Sequence, residues 1–186
     1  MNLKFVRCII YQKKKKILIS GNIFYKNHLT LFKTLEKLIT QDKDIVFVKI
    51  GGKFDINHFK HLKNIVYELP FLHREELPKI YKVCKLLFFP SIYEGFGLPL
   101  LEAMQCGIPI VCSNNSSIPE VVGNTAIKND HNNIEGFVKD ILSLLNNKKL
   151  YLLKRQDALD RTKIFDISKF HNRLIDIYRT ELSKSG

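Results

Sequence analysis

Two glutamates separated by seven residues, Glu94 and Glu102, flank a two-glycine loop in the stretch YEGFGLPLLEAMQCG. Gly95 and Gly97 carry no Cβ, so a ligand can approach their backbone closely. The amides of Gly97 and Leu98 would point outward at the positive end of a helix dipole. That is an anion site in outline. Beside a phosphate, a carboxylate at Glu94 would be repelled; it becomes sensible if it accepts hydrogen bonds from sugar hydroxyls. Glu102, about one turn into the helix, is placed to do the same for the two adjacent hydroxyls of a ribose. On spacing alone, plainer readings also stand: Glu102 as a favourable acid near a helix start, Glu94 as a solvated loop residue.

A second half-site lies in ILISGNIFYKNHLTLF, where Gly21 ends an apolar run and Lys26 falls at the start of a helical pattern. A lysine there complements a pyrophosphate and stabilises charge developing on a leaving nucleoside diphosphate; in a chain this basic, it also reads as solvated surface. Other patterns carry less. IGGKFD has Gly51, Gly52 and Lys53 but neither the earlier glycine nor the Ser or Thr of a P-loop. His58 and His61 are three apart on an expected helix, without a neighbouring third metal ligand. No Ser-His-Asp constellation is legible, and no metal or other cofactor is expected.

The elements that must position these residues are short. Apolar runs at 17–20, 45–50, 65–69, 86–90 and 109–113 read as strands, with a weaker one in TAIKN. Helical spacing separates them, in NHLTLFKTLEKLIT and REELPKIYKVC, and Pro99 and Gly107 bracket a helix from about Pro99 to Cys106. Further helices are expected around 132–147, 148–163 and 167–182, packed on the sheet edge, the last with Phe170, Leu174, Ile177 and Tyr178 on one stripe. Strands apolar along their whole length, alternating with helices, predict a Rossmann-like parallel sheet flanked by helices on both faces. Ligands of such sheets bind beyond the carboxyl ends of the strands. The glycine loops at Gly21, at Gly51 and Gly52, and at Gly95 and Gly97 should therefore face one side.

With 186 residues, 45% hydrophobic and 26% charged, the chain suits one domain over 1–186, with a lead-in segment 1–15 and a C-terminal helix 165–186. No apolar run reaches the roughly 18 residues of a membrane span, and MNLKFVRCIIYQKKKK lacks a cleavage site, so a cytoplasmic location is expected. Cys8, Cys84, Cys106 and Cys112 have no C-x-x-C spacing and read as buried free thiols. A net charge of +12 permits attraction to anionic lipid, and so a peripheral contact at the inner face of a membrane, or to a phosphorylated ligand. Nucleic acid is not expected, because no RNA-recognition or zinc-finger signature accompanies the lysines.

PSIYEGFGLPLLEAMQCGIPIVCSNNSSIPEVVGNTA resembles the nucleotide-sugar signature of glycosyltransferase family 4, retaining enzymes of the GT-B fold. ILISGNIFYKNHLTLFKTLEKL, VFVKIGG and LPFLHREELPKIYKVCKLLFFPS are similar to the family's preceding motifs in order, so the resemblance covers about residues 16–182. It implies the fold of the carboxyl-terminal, donor-binding half of such an enzyme. It implies that Glu94 contacts the transferred sugar, that Gly95, Phe96, Gly97 and Leu98 hold sugar and phosphates, and that Glu102 binds the ribose. Lys26 would hold the diphosphate beside Gly21 and Asn22, and Gly51, Phe71, Leu72 and Leu77 would form the base pocket.

Three positions depart from that pattern. Asn22 stands where many members carry an arginine, Tyr25 where others do, and Lys85 where an acid is frequent. Members also have an amino-terminal acceptor domain, and this chain begins where the second domain begins. The expected function is therefore binding of a UDP- or GDP-hexose for retaining transfer, with the acceptor domain supplied by a partner chain or a missing gene half and weak activity in isolation. The alternative is a non-catalytic nucleotide-sugar-binding or protein-interaction module. A dehydrogenase is disfavoured because no G-x-G-x-x-G follows the first strand.

Overall fold

The computed structural model describes residues 13–20, 26–52 and 57–184. Six strands form one sheet: β1 (Lys15–Ser20), β2 (Ile45–Ile50), β3 (Val66–Leu69), β4 (Leu86–Phe89), β5 (Ile110–Ser113) and β6 (Ile127–Asn129). Every pairing is parallel, in the order β3-β2-β1-β4-β5-β6. The expected Rossmann-like sheet is thus present, with TAIKN supplying its last strand. The order reverses between β1 and β4, and the crevice beyond their carboxyl ends is the topological switch point at which such sheets take ligands.

The unbroken apolar strands follow from helices on both faces. Leu18, Val48, Leu87 and Cys112 point into one core with Ile80, Leu100, Met104 and Ala158; Ile17, Phe47, Phe88 and Val111 point into the other with Leu35, Phe137 and Ile141. The first face carries α2 (Leu77–Val83), α3 (Leu98–Gln105), α4 (Ile118–Val122) and α6 (Lys148–Arg161); the second carries α1 (His28–Gln41) and α5 (Ile134–Asn146). Contrary to expectation, α5 covers a face rather than the sheet edge. Phe137, Val138, Ile141 and Leu144 make a buried stripe that shares one core with Leu31, Phe32, Leu35 and Leu38 of α1.

The helix expected at His58 and His61 is present as the 3-10 helix Asn57–Asn64, and His61 Nε2 lies 2.7 Å from Glu36 Oε1. One further expectation is corrected. The last helix, α7 (Ile167–Lys184), buries none of its residues: Phe170, Leu174, Ile177 and Tyr178 are all exposed. Its periodicity is helical, but it meets the domain through the 3-10 turn Thr162–Phe165 and runs clear of the sheet. Among the described residues, Cys84, Cys106 and Cys112 are free thiols, with Cys84 and Cys112 buried. No helix of the described residues is long and apolar enough to cross a membrane.

Candidate functional site

The stop and start signals around the glycine loop work as the residues dictate. Gly97 sits at the α3 N-cap with φ of 88°, a left-handed conformation that favours glycine, and Pro99 occupies the first turn. At the other end Gly107, φ 64°, forms a Schellman cap: its N–H donates to Met104 O at 3.0 Å, and Ile108 N–H donates to Ala103 O at 3.1 Å. The helix runs Leu98–Gln105, one residue earlier than the expected range. A Cβ added to Gly95 would meet nothing within 4 Å, so that glycine borders open space.

Lys26 Nζ and Glu94 Oε1 are 2.6 Å apart at the switch point, their side chains only 11% and 8% exposed. Lys26 Nζ also stands 4.3 Å from the centre of the Phe89 ring, so the cation rests on an aromatic face at the end of β4. The sequence places Glu94 and Lys26 on two half-sites; in the fold they contact each other directly. On the neighbouring strand β2 Lys49, fully buried, donates from Nζ to Gly52 O. Its pKa is lowered to about 8 by loss of solvent, partly opposed by Glu68. Burial and the nearby Lys49 charge hold His28 below the usual imidazole value. At the ends of β1 and β4 a small pocket is lined by Lys26 and His28, and Glu94 is bonded to that lysine.

Glu102 lies on the α3 face that looks toward α2. A cavity of about 490 Å³ opens there, with Glu102, Leu77, Leu98, Tyr81 and Arg74 in its wall. Tyr81 Oη, 1% exposed, donates to Glu102 Oε2 at 2.6 Å. Burial first, and then the adjacent carboxylate, push the phenol well above its ordinary range, so it stays a donor.

The remaining expected residues fall into smaller groups. Gly51 and Gly52 have φ of 100° and 88°, and a Cβ on Gly51 would lie 3.6 Å from the ring of Phe71, itself 85% exposed. Leu72 packs partly buried against the core. Phe96 is half-exposed and meets Phe165 edge-on, ring centres 5.8 Å apart. Leu77, Leu98 and Glu102 share one cavity wall, whereas Gly51 and Phe71 meet at a separate loop pair. Gly21 and Asn22 lie outside the described residues, as does Tyr25. Among the described residues no group of three or more His, Cys, Asp or Glu is placed to hold a metal ion.

Sequence reasoning missed the groups that hold this loop from behind. Asn27, φ 58°, donates from Nδ2 to Pro90 O at 3.1 Å and to His131 O at 2.6 Å. The Ser116 and Ser117 hydroxyls bond the backbone of Glu94. These partners are far apart in the chain, and only the pairing of β4 with its neighbours brings them together. No local spacing announces them.

A six-stranded parallel sheet of this order defines a Rossmann-like domain, and it matches the Rossmann-like domains of GT-B glycosyltransferase structures. Sucrose-phosphate synthase from Thermosynechococcus elongatus superimposes on 99% of the chain with a TM-score of 0.81 at 19% identity. Anabaena HepE, solved in complex with UDP and glucose, superimposes on 95% with a TM-score of 0.80 at 16% identity. The chain belongs to the glycosyl transferases group 1 family, whose profile matches residues 4–161. It is 37% identical over 111 residues, 60% of its length, to O-antigen chain mannosyltransferase B of Escherichia coli. The chain spans 29% of that relative and 51% of each of the two solved structures.

Proposed function

We propose that the chain is the donor-binding, carboxyl-terminal half of a family 4 glycosyltransferase, holding a UDP- or GDP-hexose for retaining transfer to an acceptor on another domain. The observation that carries this reading is the placement of Glu94 and Lys26 at the switch point, with Glu102 one helix away on a cavity large enough for a nucleoside. The mannosyltransferase relative and the UDP and glucose bound to HepE support the same class of donor.

In this reading the Gly95–Leu98 backbone and Phe96 border the sugar and phosphates, and Glu102 accepts from the ribose. Gly51, Phe71, Leu72 and Leu77 flank the base, and Gly21 and Asn22 are assigned to the phosphates. Lys26 exchanges Glu94 for the diphosphate when the donor binds. Glu94 is then released to accept from sugar hydroxyls, and the lysine cation meets the negative charge that grows on the diphosphate as the bond to the sugar C1 breaks. No metal enters this reading; the Lys26 cation is the group that balances the diphosphate charge. Transfer on this chain alone is slow, because an acceptor site contributed by a partner chain or a further domain provides approximation. A cytoplasmic location, with basic residues against the inner face of a membrane, fits a lipid-carried acceptor; nucleic acid has no place in it.

Calorimetric titration with UDP, GDP, UDP-glucose and GDP-mannose tests the reading. Binding of at least one pair is expected, abolished by Glu102→Ala. No binding of any of the four overturns it.

A further inference from the structure

The peptide groups of Glu94 are occupied entirely by two hydroxyls from the turn after β5. Ser116 Oγ accepts from Glu94 N–H at 3.2 Å and donates to Glu94 O at 2.6 Å, while Ser117 Oγ donates to the same carbonyl at 2.9 Å. One hydroxyl thus acts as both donor and acceptor towards a single residue, and the second fills the other lone pair of the carbonyl. The serines lie 22 and 23 positions away in the chain.

Ser116 makes these bonds from a left-handed conformation, φ 56°, which side chains other than glycine, asparagine and aspartate rarely adopt. Glycine would fit the backbone better but would supply no hydroxyl. A non-glycine residue held there is a strained position whose compensation is the pair of bonds to Glu94. The same loop is tied one strand-end earlier, where Ser113 Oγ donates to Ser91 O and Asn27 donates to Pro90 O. The segment 90–94 is therefore stitched to β5 and α1, and its last stitch fixes the residue whose carboxylate reaches Lys26.

We propose that Ser116 and Ser117 are positioning residues that aim the Glu94 carboxylate, and that through it they set affinity for the sugar part of a nucleotide-sugar rather than for its nucleoside diphosphate. The second half of this inference rests on the donor reading of the site. Their hydroxyls do not touch the ligand; they orient the peptide from which Glu94 projects. A serine pair that merely closes a turn would instead affect stability and both ligands together.

The test compares the parent chain with Ser116→Ala/Ser117→Ala, Ser116→Gly and Ser117→Thr, using GDP, GDP-mannose, UDP and UDP-glucose as probes. In the double variant, affinity for the bound nucleotide-sugar should fall about tenfold, the factor that accompanies loss of one well-aimed hydrogen bond to a charged group, while affinity for the matching diphosphate changes less than about twofold. Ser116→Gly should melt no lower than the parent yet still lose sugar affinity, and Ser117→Thr, which keeps its hydroxyl, should retain it. Hydrogen exchange at the Glu94 amide should accelerate in the double variant whether or not any nucleotide is present. Unchanged exchange overturns the clamp itself. Faster exchange with an unchanged ratio of the two affinities overturns the sugar-aiming role alone. A parent that binds none of the four probes refutes the donor site and the sugar-aiming role with it, while the exchange result still decides the clamp.

Discussion

Lys26 Nζ lies 2.6 Å from Glu94 Oε1 although the two residues are 68 positions apart, and both side chains are almost wholly withdrawn from water. Removing one partner of such a pair leaves the other charge buried, a far larger penalty than loss of a surface salt bridge. Lys26→Ala should therefore lower unfolding free energy by about 3 kcal/mol. Glu94→Gln keeps a hydrogen-bonding partner for the ammonium and should cost less. Urea denaturation of both variants checks this; equal small losses, under about 1 kcal/mol, would mean the pair behaves as an exposed one.

Tyr81 and Glu102 form the second paired contact. The phenol is buried and its hydrogen bond engages Oε2 of a carboxylate that lines the cavity. Tyr81→Phe keeps the ring packing and should destabilise by only about 1 kcal/mol. Freed to rotate, Glu102 should then bind the nucleoside diphosphate several-fold more weakly, a change on the order of 1 kcal/mol. Calorimetry of the variant beside its melting curve separates the two effects, and an unaltered dissociation constant would mean that Glu102 needs no such support.

The strands, their parallel pairing and the glycine-bracketed helix were legible because each has a local cause. Runs such as IVFVKI are apolar at nearly every position, and Pro99 and Gly107 can hardly sit anywhere but at opposite ends of a helix. What was not legible depends on neighbours distant in the chain. The contact of Lys26 with Glu94 arises because β1 and β4 are adjacent, and the serines at 116 and 117 reach Glu94 because β5 lies beside β4. The apolar stripe on α7 showed the opposite limit: periodicity revealed a helix but could not reveal that its apolar side leaves the domain.

Lys49 gives the fold a distinctive pH response. Its folded-state pKa of about 8 lies below the ordinary lysine value of 10.5, so between those limits the unfolded chain binds a proton that the folded chain does not. Stability contributed by this group therefore increases as pH rises from about 8 toward 10.5, and below pH 8 the buried charge is a net penalty. The thiols of Cys84 and Cys112, pushed up to about 12 by burial, act in the opposite sense from about pH 9 upward, so a variant comparison is needed. Lys49→Met should be more stable than the parent near pH 7, and its advantage should shrink steadily by pH 10. Denaturation midpoints at four pH values measure this, and a pH-independent difference would show that Lys49 is solvated.

Gly95 and Gly97 separate ligand from backbone requirements within one loop. Gly97 has φ of 88°, and an added Cβ would lie 2.8 Å from Leu100 Cδ1; the methyl can swing aside, but the left-handed backbone cannot be relieved. Gly97→Ala should therefore cost about 1–2 kcal/mol of stability before any ligand is considered. At Gly95 nothing lies within 4 Å of the added methyl, so Gly95→Ala should leave the melting temperature within about 2 °C of the parent, a change of well under 1 kcal/mol. If the open space at Gly95 is where a nucleotide-sugar approaches the main chain, the same silent substitution should weaken its binding by tenfold or more, on the order of 1.4 kcal/mol. A Gly95→Ala protein that is both as stable and as avid as the parent would move the ligand away from this loop, because a methyl group on the approach path to the backbone cannot be neutral toward a molecule in contact with it.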